Sequence, residues 1–310
     1  MKSEWNTSAI ANICKVVTDG SHTSPKSVSH GKYMVSVKDF TPYGFDFNGC
    51  RQISFADYEK LKSSGCVPQK GDILIGKDGA RYFEDIIIYN QDEAPALLSS
   101  IAILRCDEEK VIPEYLYYLL KTPSFKKDVK DNYGSGSAIP RIILKDFKRM
   151  KVKYPSIEKQ RQIVSILHDL DAKIFNNQKV NDNLEQQAAA LFSSLYNRSN
   201  TEVRYTDLIQ ILGGGTPKTG ETAYWNGNIA FFTPKDVGTP YTFITEKTIT
   251  EEGLSHCNSR LYPVNTVFVT ARGTVGKVGL SGVPMAMNQS CYALVGKETH
   301  QLLVYFYTLK

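Results

Sequence analysis

From Ser156 to Tyr196 the chain runs for about forty residues without a glycine or a proline, and none follows until Gly213. Ser156 is a good N-cap, and Glu158 stands in the first turn, where a carboxylate suits the helix dipole. The spacing predicts one helix over 156–196. Its apolar seam reads Ile163, Leu167, Leu170, Ile174, Asn177, Asn181, Leu184, Ala188, Leu191 and Leu195. The steps alternate four and three, the heptad spacing of a coiled coil. At 1.5 Å per residue such a helix is a rod of roughly 60 Å. Asn177 and Asn181 interrupt the seam, and polar residues at seam positions fix register and partner at some expense in stability. The bland reading is a long core helix of one large domain. Against it, each flank reads as a domain of its own.

The chain has 310 residues, room for two domains with real cores. No apolar run reaches 18 residues, so no membrane span is expected. The N-terminus MKSEWNTSAIANICKVV lacks the apolar core of a signal peptide. The six cysteines (14, 50, 66, 106, 257 and 291) form no CxxC pair and read as reduced, mostly buried thiols of a cytoplasmic protein. The five histidines show no ligand spacing, so no metal site is predicted. Net charge is +5. Residues 1–155 hold 23 Lys and Arg against 19 Asp and Glu, the helix 4 against 5, and residues 197–310 hold 10 against 8. Mildly basic flanks are compatible with nucleic-acid contact, but many proteins without such a partner are as basic.

Residues 1–155 read as a mixed α/β domain. The β-rich runs KYMVSV, GDILIG, EDIIIY and SIAILR are separated by Gly, Pro, Asn and Asp turns. A helix is expected after Pro113, and a Gly/Ser loop follows at YGSGSAIPRI. Arg141, Lys145, Lys148, Arg149, Lys151 and Lys153 then crowd against the one acid Asp146, and the alternation in MKVKYP suggests a strand with one solvated face. That run is either an ordinary wet surface or a phosphate-facing strip.

After the rod, YNRSNTEVRYTDL reads as a linker into a second mixed domain that repeats the first. Lys38-Asp39 match Lys235-Asp236, 197 positions on, and Asp78-Gly79 match Arg272-Gly273, 194 positions on. PEYLYYLLK at 113–121 resembles the terminal HQLLVYFYTLK. A spacing near 195 argues for duplicated units. Lys310 falls near the counterpart of Lys121, so the second unit is expected to be incomplete at its C-terminus and the heptad seam to lack a partner in its own chain.

No motif marks catalysis. GGGTPKTGET has glycines at P-loop spacing, but Glu221 occupies the place of the phosphate-binding lysine. GSGSAI at 134–139 starts like a dinucleotide loop but has Ile139 where the third glycine belongs. No Asn-Pro-Pro or Asp-Pro-Pro tetrapeptide of amino-methyltransferases is present. Recognition chemistry does stand out. Residues 213–238 join a glycine-rich loop, the aromatic pair Tyr224 and Trp225, a turn at Asn226-Gly227, and a strand ending in Lys235-Asp236. This string, together with KQRQIVSILHDLDAKI at 159–174, resembles the specificity subunits of type I restriction-modification systems. In that family a GGTP…YWNG…PKD stretch opens a target-recognition domain, and an EQ-containing stretch opens the spacer helix. This chain has Lys159-Gln160 where Glu-Gln is usual. VVTDGSHTSPK fits a looser variant of the domain opening.

The resemblance implies an α+β chain of two mixed α/β target-recognition domains, 1–155 and 197–310, joined by a coiled-coil-type spacer helix, 156–196. It implies a non-catalytic subunit without cofactor, each domain reading half of a bipartite gapped site on double-stranded DNA. The implied partners are modification subunits, which methylate adenine using S-adenosylmethionine, and through them restriction subunits. The rod would act as a ruler between half-sites one to two DNA turns apart, each turn being about 34–36 Å. A homodimer through the helix is the further partner that the lone seam allows. Loop position and chemistry select His22, Ser24, Lys26, Lys38, Asp39, Lys77, Arg81 and Arg141 as DNA contacts in the first domain. In the second they select Thr216, Lys218, Trp225, Lys235, Asp236, Arg272, Thr274, Lys277, Asn288 and Gln289. Trp225 fits a core position as well as a contact. Two rivals are an interaction protein that only oligomerises through the rod, and a solitary methyltransferase or nuclease.

Overall fold

The computed structural model describes residues 5–134, 140–198, 202–238 and 240–309. The chain is α+β and divides into two compact units, 1–176 and 177–310. The expected long helix forms as one element, Ile157–Arg198. The Gly/Ser loop read at 134–139 lies, beyond Gly134, outside the described residues.

Unit 1 is built on an antiparallel sheet with strand order Cys14–Asp19, Ile101–Cys106, Ile73–Gly76, Ile86–Ile88. Ile73, Leu74 and Ile75 are fully buried, so both faces of this strand are covered. Ile73 and Ile75 enter a core with Leu104, Leu116 and Phe147, while Leu74 enters another with Val35, Tyr89 and Leu97. That explains the uninterrupted apolar run, since a strand buried on both faces has no polar alternation. A second sheet sets Lys32–Val35 parallel to Ala96–Leu97 and antiparallel to Gln52–Ile53. The MKVKYP run is the strand Lys151–Tyr154, which pairs with Asn6–Ala9 and buries only Val152.

Unit 2 repeats this plan. Its main sheet runs Ile209–Gly213, Cys291–Gly296, Val267–Thr270, Val278–Ser281, with Tyr241–Thr242 added at the edge. Trp225–Phe232 is parallel to Met285–Met287 and antiparallel to Lys247–Ile249. Val267 packs with Leu294 and Val304, and Phe268 with Phe232 and Tyr262, again dividing one strand between two cores. The turn read at Asn226-Gly227 lies inside Trp225–Phe232, where Trp225 and Ile229 both pair with Ile249 and the register with Lys247–Ile249 shifts. A Cβ on Gly227 would lie 2.5 Å from the Ile249 carbonyl oxygen, so the glycine serves a close backbone approach. The strand also stops at Phe232, and Pro234–Asp236 is a 3-10 turn.

Each unit grips its own part of the long helix. In unit 1, Gln160 is fully buried near the helix start. Its Oε1 accepts the Ile112 N–H at 3.0 Å, and its Nε2 donates to the carbonyls of Lys110 at 3.0 Å and Pro155 at 2.9 Å. Ile163 and Val164 pack on the adjoining core, and Tyr118 donates to Asp171 at 2.8 Å. In unit 2, Tyr305 donates to Glu185 at 2.9 Å, and Phe192 packs on the rings of Phe306 and Tyr307 at 5.6 and 4.9 Å. Burial and the adjacent carboxylate push both tyrosine hydroxyls well above their ordinary pKa, so they stay donors. The heptad seam is turned mostly outward. Leu170, Ile174, Leu184, Leu191 and Leu195 are all more than half exposed, as are Ile166 and Val180. Asn177 and Asn181 are exposed beside them, while Leu167 and Ala188 are half-buried.

The Gln160 carboxamide is the mainstay of the helix start. Gln160→Ala leaves one N–H and two carbonyls of unit 1 without these partners, and the expected loss is about 2–3 kcal/mol. Chemical denaturation followed by circular dichroism checks this; an unchanged midpoint would assign the anchor elsewhere.

Candidate nucleic-acid interface

In unit 2 the Lys235-Asp236 pair is shaped by local hydrogen bonds. Thr233 caps the 3-10 turn, and Asp236 Oδ2 accepts both the Thr233 N–H at 2.8 Å and its hydroxyl at 2.6 Å. Asp236 Oδ1 accepts the Glu246 N–H at 2.8 Å. Unit 1 repeats the device, with Asp39 Oδ2 accepting the Ser36 N–H at 2.7 Å and hydroxyl at 3.1 Å. Asp39 and Asp236, expected as DNA contacts, are half-buried, and their carboxylates close their own turns. What each turn presents is its lysine. Lys38 and Lys235 are exposed, Lys235 with Nζ 3.6 Å from the Glu246 carboxylate.

Around Lys235 the fold gathers side chains from four segments. Thr233, Lys235, Glu246, Lys247, Arg272, Asn288 and Ser290 line an open cleft of about 350 Å³. Arg272 is exposed at the end of Val267–Thr270. Asn288 is fixed by its main chain, which donates to Phe232 O at 3.0 Å, and its Oδ1 accepts the Ser290 N–H at 3.0 Å. Lys247 also reaches over the Trp225 ring, 5.6 Å from its centroid. Lys247 and Ser290 were not legible as site residues, because neither sits in a motif.

Trp225 is half-buried and joins the small core around Phe231, while its Nε1 donates to Lys218 O at 3.1 Å. It ties the glycine-rich loop to the strand, and Lys218 itself stays exposed. The glycines of that loop serve packing: a Cβ on Gly214 would lie 2.3 Å from Asn288 O, and one on Gly215 would lie 2.6 Å from Asn258 N. This close approach lets the Thr216 hydroxyl bond Gln289 Oε1. Thr274 and Lys277 are exposed on the loop that follows Arg272.

Unit 1 places its candidates differently. His22, Ser24 and Lys26 are exposed on one loop, and His22 Nε2 lies 3.3 Å from Asp19 Oδ1. Lys77 is corrected as a surface contact. It is only 6% exposed, with Nζ 3.3 Å from Asp19 Oδ2 and 3.6 Å from Asp78 Oδ1, and such an ion pair braces two loops. Arg81 is exposed but holds Asp85 at 2.7 Å. Arg141 is exposed and bridges to Asp78 through the backbone. Lys145, Lys148, Lys151 and Lys153 of the basic run are solvent-facing, and Arg149 pairs with Asp146 and stacks over Tyr133.

All six cysteines are free. Burial pushes the Cys291 thiol up to about 12 and the Cys66 thiol upward as well, which keeps both as neutral core fillers. Among the described residues no His, Cys, Asp and Glu cluster could hold a metal ion, and no helix is long and apolar enough to cross a membrane.

The type I restriction modification DNA specificity domain matches residues 2–186 and, a second time, 197–310, and the chain belongs to that family. It is 27% identical over 220 residues to the EcoR124I/EcoR124II specificity subunit of Escherichia coli, covering 66% of this chain and 52% of that protein. It is 32% identical over 109 residues to the MjaIX specificity subunit of Methanocaldococcus jannaschii, covering 34% of this chain and 25% of that protein. The chain therefore spans about half the length, or less, of these curated relatives. The crystal structure of the type I restriction-modification S subunit from M. genitalium aligns with a TM-score of 0.56 at 14% identity, over 99% of this chain and 78% of that one. At that identity the likeness is one of fold.

The two roles in the Lys-Asp pair separate experimentally. Asp236→Ala is expected to destabilise the chain by about 1–2 kcal/mol through loss of the cap and to speed amide exchange across 233–246. Lys235→Ala is expected to stay within about 0.5 kcal/mol of the parent. Thermal melts with hydrogen-exchange mass spectrometry read both, and equal effects would contradict the assignment.

Proposed function

We propose that this chain is the DNA-recognition subunit of a type I restriction-modification complex. Residues 1–155 and 197–310 each read one half of a bipartite gapped site, and the helix at 156–196 joins them. The chain carries no chemistry of its own. It positions modification subunits, which methylate adenine, and through them the restriction subunits, in the cytoplasm.

One observation carries the reading: Lys235, Lys247 and Arg272 meet Asn288 and Ser290 at a single open cleft. Cations of this kind neutralise phosphates and release counterions. Arginine suits the O6 and N7 edge of guanine, and an asparagine amide suits the N6 and N7 edge of adenine. His22, Ser24, Lys26, Lys38 and Arg141, all exposed, supply the corresponding contacts in the first half.

The cleft residues divide by role. With the modification subunits bound, Arg272→Ala is expected to weaken binding to the cognate duplex about tenfold and to relax sequence preference at one position. Lys247→Ala is expected to weaken all duplexes alike and lower the slope of log affinity against log salt by about one. Fluorescence anisotropy on cognate and scrambled duplexes measures both. Equal loss on both duplexes for Arg272→Ala would contradict a base-reading role.

The outward stripe on the helix supports pairing with a second helix, and we assign the partner as a second copy of this chain. Light scattering at micromolar concentration is expected to give a dimer mass that Leu170→Glu with Leu184→Glu reduces to a monomer. A monomeric parent would refute the pairing.

A further inference from the structure

The loop that carries Arg272 is braced at its base. Thr270, 1% exposed, donates its hydroxyl to the Thr274 carbonyl and accepts the Lys277 N–H at 3.1 Å. The Thr270 N–H donates to Lys277 O at 3.0 Å, the Gly276 N–H to Thr270 O at 2.9 Å, and the Ala271 N–H to Ser290 O at 2.8 Å. Between these ties the chain reverses through Gly273 at φ 78° and Gly276 at φ 83°. Nothing lies within 4 Å of a Cβ built on either, so the left-handed backbone, not crowding, requires glycine there.

The product of this bracing is Val275, which is 73% exposed. Folding gains little from a valine in water, where a serine would cost less. The loop TARGTVGK contains no acid, and Val275 stands between the exposed cations Arg272 and Lys277. Arg272 and Gly273 also line the cleft with Lys235 and Lys247. The matching loop of unit 1 differs. By the Asp78-Gly79 alignment Arg81 takes the place of Val275 and is paired with Asp85, and the loop is pinned by Gly79 N–H to Pro140 O and Ile142 N–H to Lys77 O.

We infer that Val275 is a specificity-determining residue that packs against the 5-methyl group of a thymine in the major groove, and that Thr270 positions it. The inference rests on the reading of unit 2 as a DNA-recognition unit. Thymine's methyl is the apolar feature that the base edges offer in that groove. A rigid loop with an apolar tip, set between the base-reading Arg272 and the cation Lys277, fits a methyl group on a base edge beside the phosphate backbone.

The test uses the full chain bound to its modification subunits, on the duplex that methylation mapping identifies. Each thymine of the half-site read by unit 2 is replaced in turn by deoxyuridine, which removes only the methyl group. For the parent, one position is expected to lose about four-fold in affinity, as burial of a single methyl gives. That loss should vanish in Val275→Ala and in Thr270→Val and persist in Thr270→Ser, which keeps the hydroxyl. A purely structural Thr270 would lower thermal stability without changing the thymine-to-deoxyuridine ratio. No sensitive thymine, sensitivity that survives Val275→Ala, or loss of subunit assembly in Val275→Ala would each overturn the inference. A parent complex that prefers no duplex over another would instead overturn the DNA-recognition reading on which it rests.

Discussion

The buried carboxamide of Gln160 sets where the long helix begins. It satisfies backbone groups of Lys110, Ile112 and Pro155 at once, so the helix start, the approach to Pro113–Lys121 and the end of the basic strand share one joint. Three neutral hydrogen bonds in a dry site specify geometry more sharply than apolar contact, because any displacement leaves polar atoms unpaired. Tyr118 on Asp171 and Tyr305 on Glu185 extend the same principle: each unit holds the helix by a tyrosine from an aromatic-rich helix.

The two units share a scaffold and differ in what it displays. Strand order, the parallel strand pair, the capped 3-10 turn and the aromatic helix recur in both. The loops do not. Where unit 1 buries Lys77 against Asp19, unit 2 has Ala271 and frees its loop to present Arg272 and Val275. A fixed frame with variable loops is what a recognition module needs, since the frame holds position while the loops set choice.

Much of this was legible in the sequence. The helix was, because forty residues of good helix formers admit few other structures. The repeat was, because Lys-Asp and the glycine after the buried strand are fixed by turns that other residues fill poorly. The polar anchors of the helix were not, Gln160 and Asp171 in unit 1 and Glu185 in unit 2, because such residues are invisible to a search for apolar period. Asn226-Gly227 was legible as a turn signal, but its setting was not: the strand resumes after it and the glycine answers to Ile249 across the sheet. Asp39, Asp236 and Lys77 were chosen for their chemistry, and their partners sit where only the fold brings them: three residues back in the turns, and 58 positions away for Asp19.

The central claim is that two duplicated units each read part of one duplex while other chains act on it. Single-molecule methylome sequencing of the host with and without this gene tests that most directly. The account predicts one methylated-adenine motif that disappears with the gene and consists of two short specified blocks separated by unspecified bases. Replacing the second unit by that of a relative should change one block and leave the other. A motif that persists without the gene, or one contiguous block altered throughout by that exchange, would contradict it.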